Sequence, residues 1–146
     1  MAALTAGRLT PRREGDVIAG AVAATVLLHV GALVMRNAAG YVTPGATATG
    51  LVGVGIAEAE ADNAAGAAGD VTARIRTGVF RFDNSAATDA ITSAEIGDVC
   101  FAVDDQTVAK TDGTATRSPA GIVTDVDAQG VWVRLDEALT LARTGA

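Results

Sequence analysis

Five aspartates, Asp104, Asp105, Asp112, Asp125 and Asp127, lie close together in the last third of the chain. Carboxylates at that density can relay protons or hold calcium. Adjacent residues on an extended chain point to opposite faces, however, so Asp104 and Asp105 need not converge. The Asp-x-Asp at 125 and 127 also lacks the oxygen spacing of a calcium loop. All five therefore read as turn and surface residues. His29, the only histidine, sits in an apolar stretch and reads as a hydrogen-bonded interior or interface residue. Cys100 is the only cysteine, so no intrachain disulfide is possible and no His/Cys metal site can be assembled within one subunit. Its surroundings, Asp98-Val99-Cys100-Phe101-Ala102-Val103, read as a buried strand whose nearest charge is acidic, the wrong sign for activating a thiolate. The glycines match neither phosphate-cradling pattern, and no serine or cysteine stands in a nucleophile motif. The expectation is a protein that is not an enzyme, with no catalytic residue, no metal and no cofactor.

Arg8, Arg12 and Arg13 suggest binding rather than catalysis. Residues 1–13 hold these three cations and no acid, +3 in all. The rest carries 8 basic and 17 acidic side chains, or −9, within a chain total of −6. An acidic body repels phosphate backbones, so no nucleic-acid partner is expected. The basic leader reads instead as an arm that seeks an acidic protein surface. An extended arm can add a strand to an exposed sheet edge through its backbone, with Leu4, Arg8, Leu9, Arg12 and Arg13 as the candidate contacts.

The elements that would carry such contacts are β. Hydrophobic residues make up 49% of the chain but aromatics only 3%. A core of alanine and valine buries little area per side chain, which favours stabilisation by partner contacts. Residues 1–16 lack periodicity and read as an extended arm, 17–136 as one β-rich domain and 137–146 as a fraying tail. Within the domain, Leu33–Arg36 and Tyr41–Thr43 flank an Asn37-Ala38-Ala39-Gly40 turn. In Leu51–Ala59, Val52, Val54 and Ile56 alternate with Gly53 and Gly55, so a backbone or a second subunit is expected to approach the glycine face. Residues 61–69 read as a loop. Asp70–Phe82 reads as one long strand with a β-bulge at Gly78, where the alternation shifts phase. Thr92-Ser93-Ala94-Glu95 has the form of a capping box. Four short strands follow, at 99–103, 108–110, 121–126 and 131–135, and Trp132 reads as a packing anchor in the core or at a subunit contact. The fold expected is a small β-barrel or sandwich with little helix.

Several segments together resemble a known family. They are Gly97-Asp98-Val99-Cys100-Phe101, Val103 through Gly113 with its Asp104-Asp105-Gln106-Thr107, Arg117-Ser118-Pro119-Ala120-Gly121-Ile122-Val123, and Val131-Trp132-Val133. Met1 to Thr5, Thr10-Pro11-Arg12-Arg13, Ala46 to Leu51, and Gly78-Val79-Phe80 to Asn84-Ser85 add to them. The chain resembles the capsid decoration (cement, or minor capsid) proteins of Mu-like and related tailed bacteriophages. The resemblance covers nearly the whole sequence, through turn and strand patterns rather than catalytic residues. It departs in a more hydrophobic Val22–Val34 and in a C-terminal tail that runs past the expected last strand. The resemblance implies a β-tulip-like homotrimer, made in the host cytoplasm. Such a trimer sits on the outer surface of the phage head at three-fold and quasi-three-fold positions, where it clamps major capsid protein subunits.

The alternative is a membrane-anchored or exported bacterial protein. Val17–Met35 runs nineteen residues without a formal charge and follows three arginines. Its glycines, Thr25, His29 and high alanine content argue against insertion, and a soluble β reading with no membrane partner is preferred.

Overall fold

The computed structural model describes residues 2–144. They are mainly β, as the period-two patterning and closely spaced turns require. The first unit contains β1 (Val17–Ala21), β2 (Val26–Leu28), β3 (Leu33–Arg36), β4 (Val42–Pro44), β5 (Val52–Ala57), β6 (Ala61–Asn63) and β7 (Thr72–Arg76). Five of these form an antiparallel sheet in the order β1-β7-β5-β3-β4, and β2 pairs with β6 in a separate ribbon. The sheet curls until its ends meet. Val22, just past β1, bridges Val42 of β4, and the Ala23 N–H donates to the Val42 carbonyl at 2.9 Å. Val22, Leu28, Val34, Val42, Val54, Ala73 and Ile75 fill this first core.

The second unit is a closed barrel. It comprises β8 (Gly78–Asn84), β9 (Val99–Ala102), β10 (Thr107–Ala109), β11 (Pro119–Asp127) and β12 (Gly130–Leu135), ordered β10-β8-β12-β11-β9. The circuit closes where β9 meets β10, and β8 and β10 run parallel. Closure removes the free edges that would otherwise invite strand addition. Phe82, Ile91, Cys100, Val108, Val123, Val131, Val133 and Leu135 make its core, joined by Leu33 and Met35 from the first unit.

Strand β3 is thus a shared wall. Leu33 and Met35 face the barrel, while Val34 between them faces the first core. Strand β5 lies along the same seam but does not keep the simple alternation read from its sequence. Val34 pairs with Gly55 and Met35 with Gly53, which leaves Val54 as the extra residue of a bulge. As a result Val54 packs into the first core, whereas Ile56 packs against the second.

Other boundaries also differ from the sequence expectation. Asp70–Phe82 is not one bulged strand: β7 ends at Arg76, and β8 starts at Gly78 in a different sheet. The phase shift is real, but it marks a crossing between units, and Gly78 turns the corner with φ +142°. Residues 61–69 are not wholly loop, because Ala61–Asn63 is β6. Residues 17–35 become β1, β2 and most of β3, and among the described residues no helix is long and apolar enough to cross a membrane.

The tail is helical rather than frayed. Helix α1 spans Glu137–Thr144 and opens with Glu137 in its first turn. The Asp136 carboxylate caps it by accepting from the Leu139 N–H at 3.0 Å. Arg143 in the last turn complements the opposite end of the helix dipole. The capping box at Thr92 forms as read: the Thr92 hydroxyl accepts from Ala94, and Glu95 reaches back to the Thr92 N–H.

Candidate protein-interaction surfaces

The arm, residues 2–16, is exposed along its whole described length. Leu4 is 70% exposed and Leu9 is 97% exposed, so both leucines lie outside any core. Among the described residues Arg12 pairs only with nearby Glu14, at 3.0 Å between two exposed side chains, a geometry that contributes little. The root of the arm is fixed. Thr77 donates its backbone N–H to the Asp16 carbonyl at 2.9 Å and its hydroxyl to the Gly15 carbonyl at 3.1 Å. The arm therefore leaves the body beside β1, the first strand of the five-stranded sheet.

Gly53 and Gly55 are both buried. A Cβ on Gly53 would fall 1.8 Å from the Ala120 carbonyl oxygen, and one on Gly55 would fall 2.4 Å from the Arg76 oxygen. The close neighbour that each glycine admits is the backbone of the same chain: β11 of the barrel at Gly53 and β7 of the same sheet at Gly55.

Trp132 lies on the outer face of β12, half-buried, between the buried Val131 and Val133. It does not anchor the barrel core. Its indole N–H donates to Asp127 at 2.9 Å, and the Arg81 guanidinium stands over its ring at 5.7 Å from the centroid.

The chemical candidates resolve into structural roles. Asp127 ties a β-turn through the Gln129 and Gly130 N–H groups, and Asp104 does the same through Gln106. The bond from the Trp132 indole, then the one from the Gln129 backbone, holds the Asp127 carboxyl below its ordinary range. Cys100 is buried, and burial pushes its thiol up to about 12, so it is not poised as a nucleophile. His29 is not the interior residue that was one of its two readings: its side chain is 67% exposed beside Glu60 at 3.7 Å, in the β2–β3 loop.

The residues that sequence reasoning missed shape a groove of ≈ 800 Å³ between the two units and α1. Leu51, Val99, Phe101 and Pro119 give it an apolar surface, and Leu141 of α1 stands at its rim. Buried Ser118 builds one wall by accepting from the Leu51 N–H at 3.0 Å and donating to the Ala48 carbonyl at 2.6 Å. Arg36 clamps α1 through Glu137 at 2.8 Å. Arg117 joins Asp89 at 3.1 Å and the Thr111 carbonyl at 3.1 Å. The Thr111 hydroxyl, followed by Arg117, holds the Asp89 carboxyl below its usual range. The adjoining loop is strained, with Thr114 at φ +62° and Ala115 at φ +61°, a left-handed pair without glycine's freedom. The only sequence hint of this site was its turn chemistry, Thr111-Asp112-Gly113.

A scan against protein-family models finds no match to this chain, and searches of curated proteins and of solved structures find none either.

Proposed function

We propose that this chain is a non-enzymatic structural protein of a tailed-phage head. It binds as a homotrimer to the outer surface at three-fold and quasi-three-fold positions, where it stabilises contacts between major capsid protein subunits. The observation that carries this reading is the arm. A fully exposed segment with two unburied leucines and three arginines, rooted by Thr77 beside a sheet end, has its contacts to make on another molecule. The strand-and-turn resemblance of the body to capsid decoration proteins supplies the assembly. The body's charge of −9 favours the outside of the shell, since packaged DNA would repel it over a screening length of about 8–10 Å.

Each exposed arginine pair contributes only about 0–1 kcal/mol, so backbone contacts and Leu4 and Leu9 carry more of the attachment than any single charge. Deleting residues 2–13 is expected to leave the circular dichroism of the body unchanged while weakening its attachment to heads, read by co-sedimentation, or between its own subunits. Single Arg8→Ala, Arg12→Ala or Arg13→Ala changes should have small effects that grow at low salt. Undiminished head binding by a folded, truncated chain would show that the arm plays no part.

A further inference from the structure

We infer that the groove between the two units receives the arm of a second copy of this chain, with Leu4 and Leu9 covering its apolar surface. This rests on the self-association in the reading above, and it names the surfaces that meet.

Three observations lead to this pairing. The groove is the size of a site for a few side chains: its ≈ 800 Å³ lies within the roughly 300–1,000 Å³ of typical ligand sites. Its surface of Leu51, Val99, Phe101, Pro119 and Leu141 offers apolar contact, and Leu141 is itself 37% exposed. Among the described residues the most exposed large apolar side chain is Leu9, with Leu4 next, and both belong to the arm. Each surface lacks what the other supplies.

Charge favours the same pairing. Three arginines line the groove: Arg36 is paired with Glu137 and Arg117 with Asp89, while Arg143 is offset in count by the Asp112 carboxylate, so its walls are close to neutral. The arm's +3 is thus drawn by the −9 of the whole body rather than opposed locally. Reach favours a neighbour as well. Thirteen extended residues span at most about 45 Å, whereas a body of this size has a radius of gyration of about 14 Å. An arm can therefore cross one subunit boundary and lie on the next body. In its own chain, no residue of the arm lines the groove, although Glu137 borders both the groove and the hollow at Gly15 where the arm is rooted. The left-handed Thr114–Ala115 segment gives the groove a wall in a costly conformation, the kind of strain found where a binding surface is held ready.

The test is a disulfide trap between two full-length variants, Leu9→Cys and Leu141→Cys. Cys100 stays inside the barrel and takes no part. Oxidising the mixture is expected to yield a covalent dimer containing one of each variant, well above the yield from either variant alone. The yield should fall several-fold in high salt or with Leu4→Ser added to the first variant. A Leu141→Asp variant, altered at an exposed position, should melt normally yet lose self-association at least tenfold. No mixed dimer, or, in a third variant carrying both substitutions, a bond formed only within single chains, would overturn the inference, as would unchanged self-association of Leu141→Asp. Head binding is measured on the same preparations. Binding retained without a mixed dimer removes the arm–groove contact alone, whereas loss of both removes the head-protein reading with it.

Discussion

The barrel of β8–β12 completes its own hydrogen bonding, with every strand flanked on both sides, whereas the sheet of β1–β7 closes through a single bridge at Val22 and Val42. Their interiors differ in the same direction. The barrel is filled by Phe82, Ile91 and Leu135 together with leucine and methionine lent by β3, while the sheet encloses mostly valine and alanine. A unit with small side chains and incomplete closure must find order elsewhere. Here it finds it in a seam shared with the barrel and in side chains that hold its loops. Buried Asn63 is the clearest of these, since its amide donates to the Val22, Ala23 and Ala67 carbonyls at 3.3, 2.9 and 2.9 Å.

The strongest way to break the contrast is at the seam. Gly53→Ala would drive a methyl into the Ala120 carbonyl, which belongs to a barrel strand and cannot swing aside. We expect a loss of about 3 kcal/mol or more, seen as a lowered midpoint of thermal or urea unfolding. A loss below about 1 kcal/mol would mean that the sheet and barrel can separate at little cost.

Asn63→Ala comes next, and it separates the units. It removes three hydrogen bonds and leaves the half-buried Ala23 carbonyl without its donor, while the Val22 and Ala67 carbonyls keep those from the Gly69 and Asp70 N–H groups, a cost of about 2 kcal/mol. Amide hydrogen exchange should speed up in β2, β6 and the loop that ends β1, with β11 and β12 little changed. Equal acceleration in both units would show that the barrel depends on this pin as well.

The smallest effect is acid sensitivity. Four carboxyls are held below their ordinary range. Glu58 is held by Arg74 and then Arg76, Asp89 by Thr111 and then Arg117, Glu95 by the Thr92 N–H and then its hydroxyl, and Asp127 by Trp132 and then Gln129. Because the folded form favours their ionised state, their contribution is present above the ordinary carboxyl values near about 4. It is lost as pH falls through the lowered folded values. Melting temperature should be level down to about pH 5 and then decline. Three of the four lie in the second unit and its connections, so the barrel should loosen first. A protein whose melting temperature rises on acidification through this range would contradict the assignment.

Much of this architecture was legible in the residues. The Asn37–Gly40 turn, the Thr92–Glu95 capping box and the strands from Val99 onward follow from turn chemistry and period-two alternation, which are local properties. The assignment of strands to sheets was not local. Asp70–Phe82 keeps apolar alternation on both sides of its phase shift at Gly78 because both of its strands face cores, and nothing in that shift distinguishes a bulge from a crossing between two cores. The glycines of β5 signalled a close approach, but its source, Ala120, lies far along the chain. The tail was misread because eight residues are too few for alternation to speak, while its capping signal, Asp136 ahead of Glu137, was there to be read. The groove was hidden for a related reason: Ser118, Arg117 and Asp89 act through partners that only the fold brings near.

Strand β3 has a consequence for how the molecule comes apart. Because Leu33 and Met35 plug one interior and Val34 the other, pulling this strand away floods both interiors at once. Neither half can be shed to save the other. The arrangement therefore makes cooperativity a property of one four-residue segment rather than of the interface area as a whole. A load applied to either half would be passed to both.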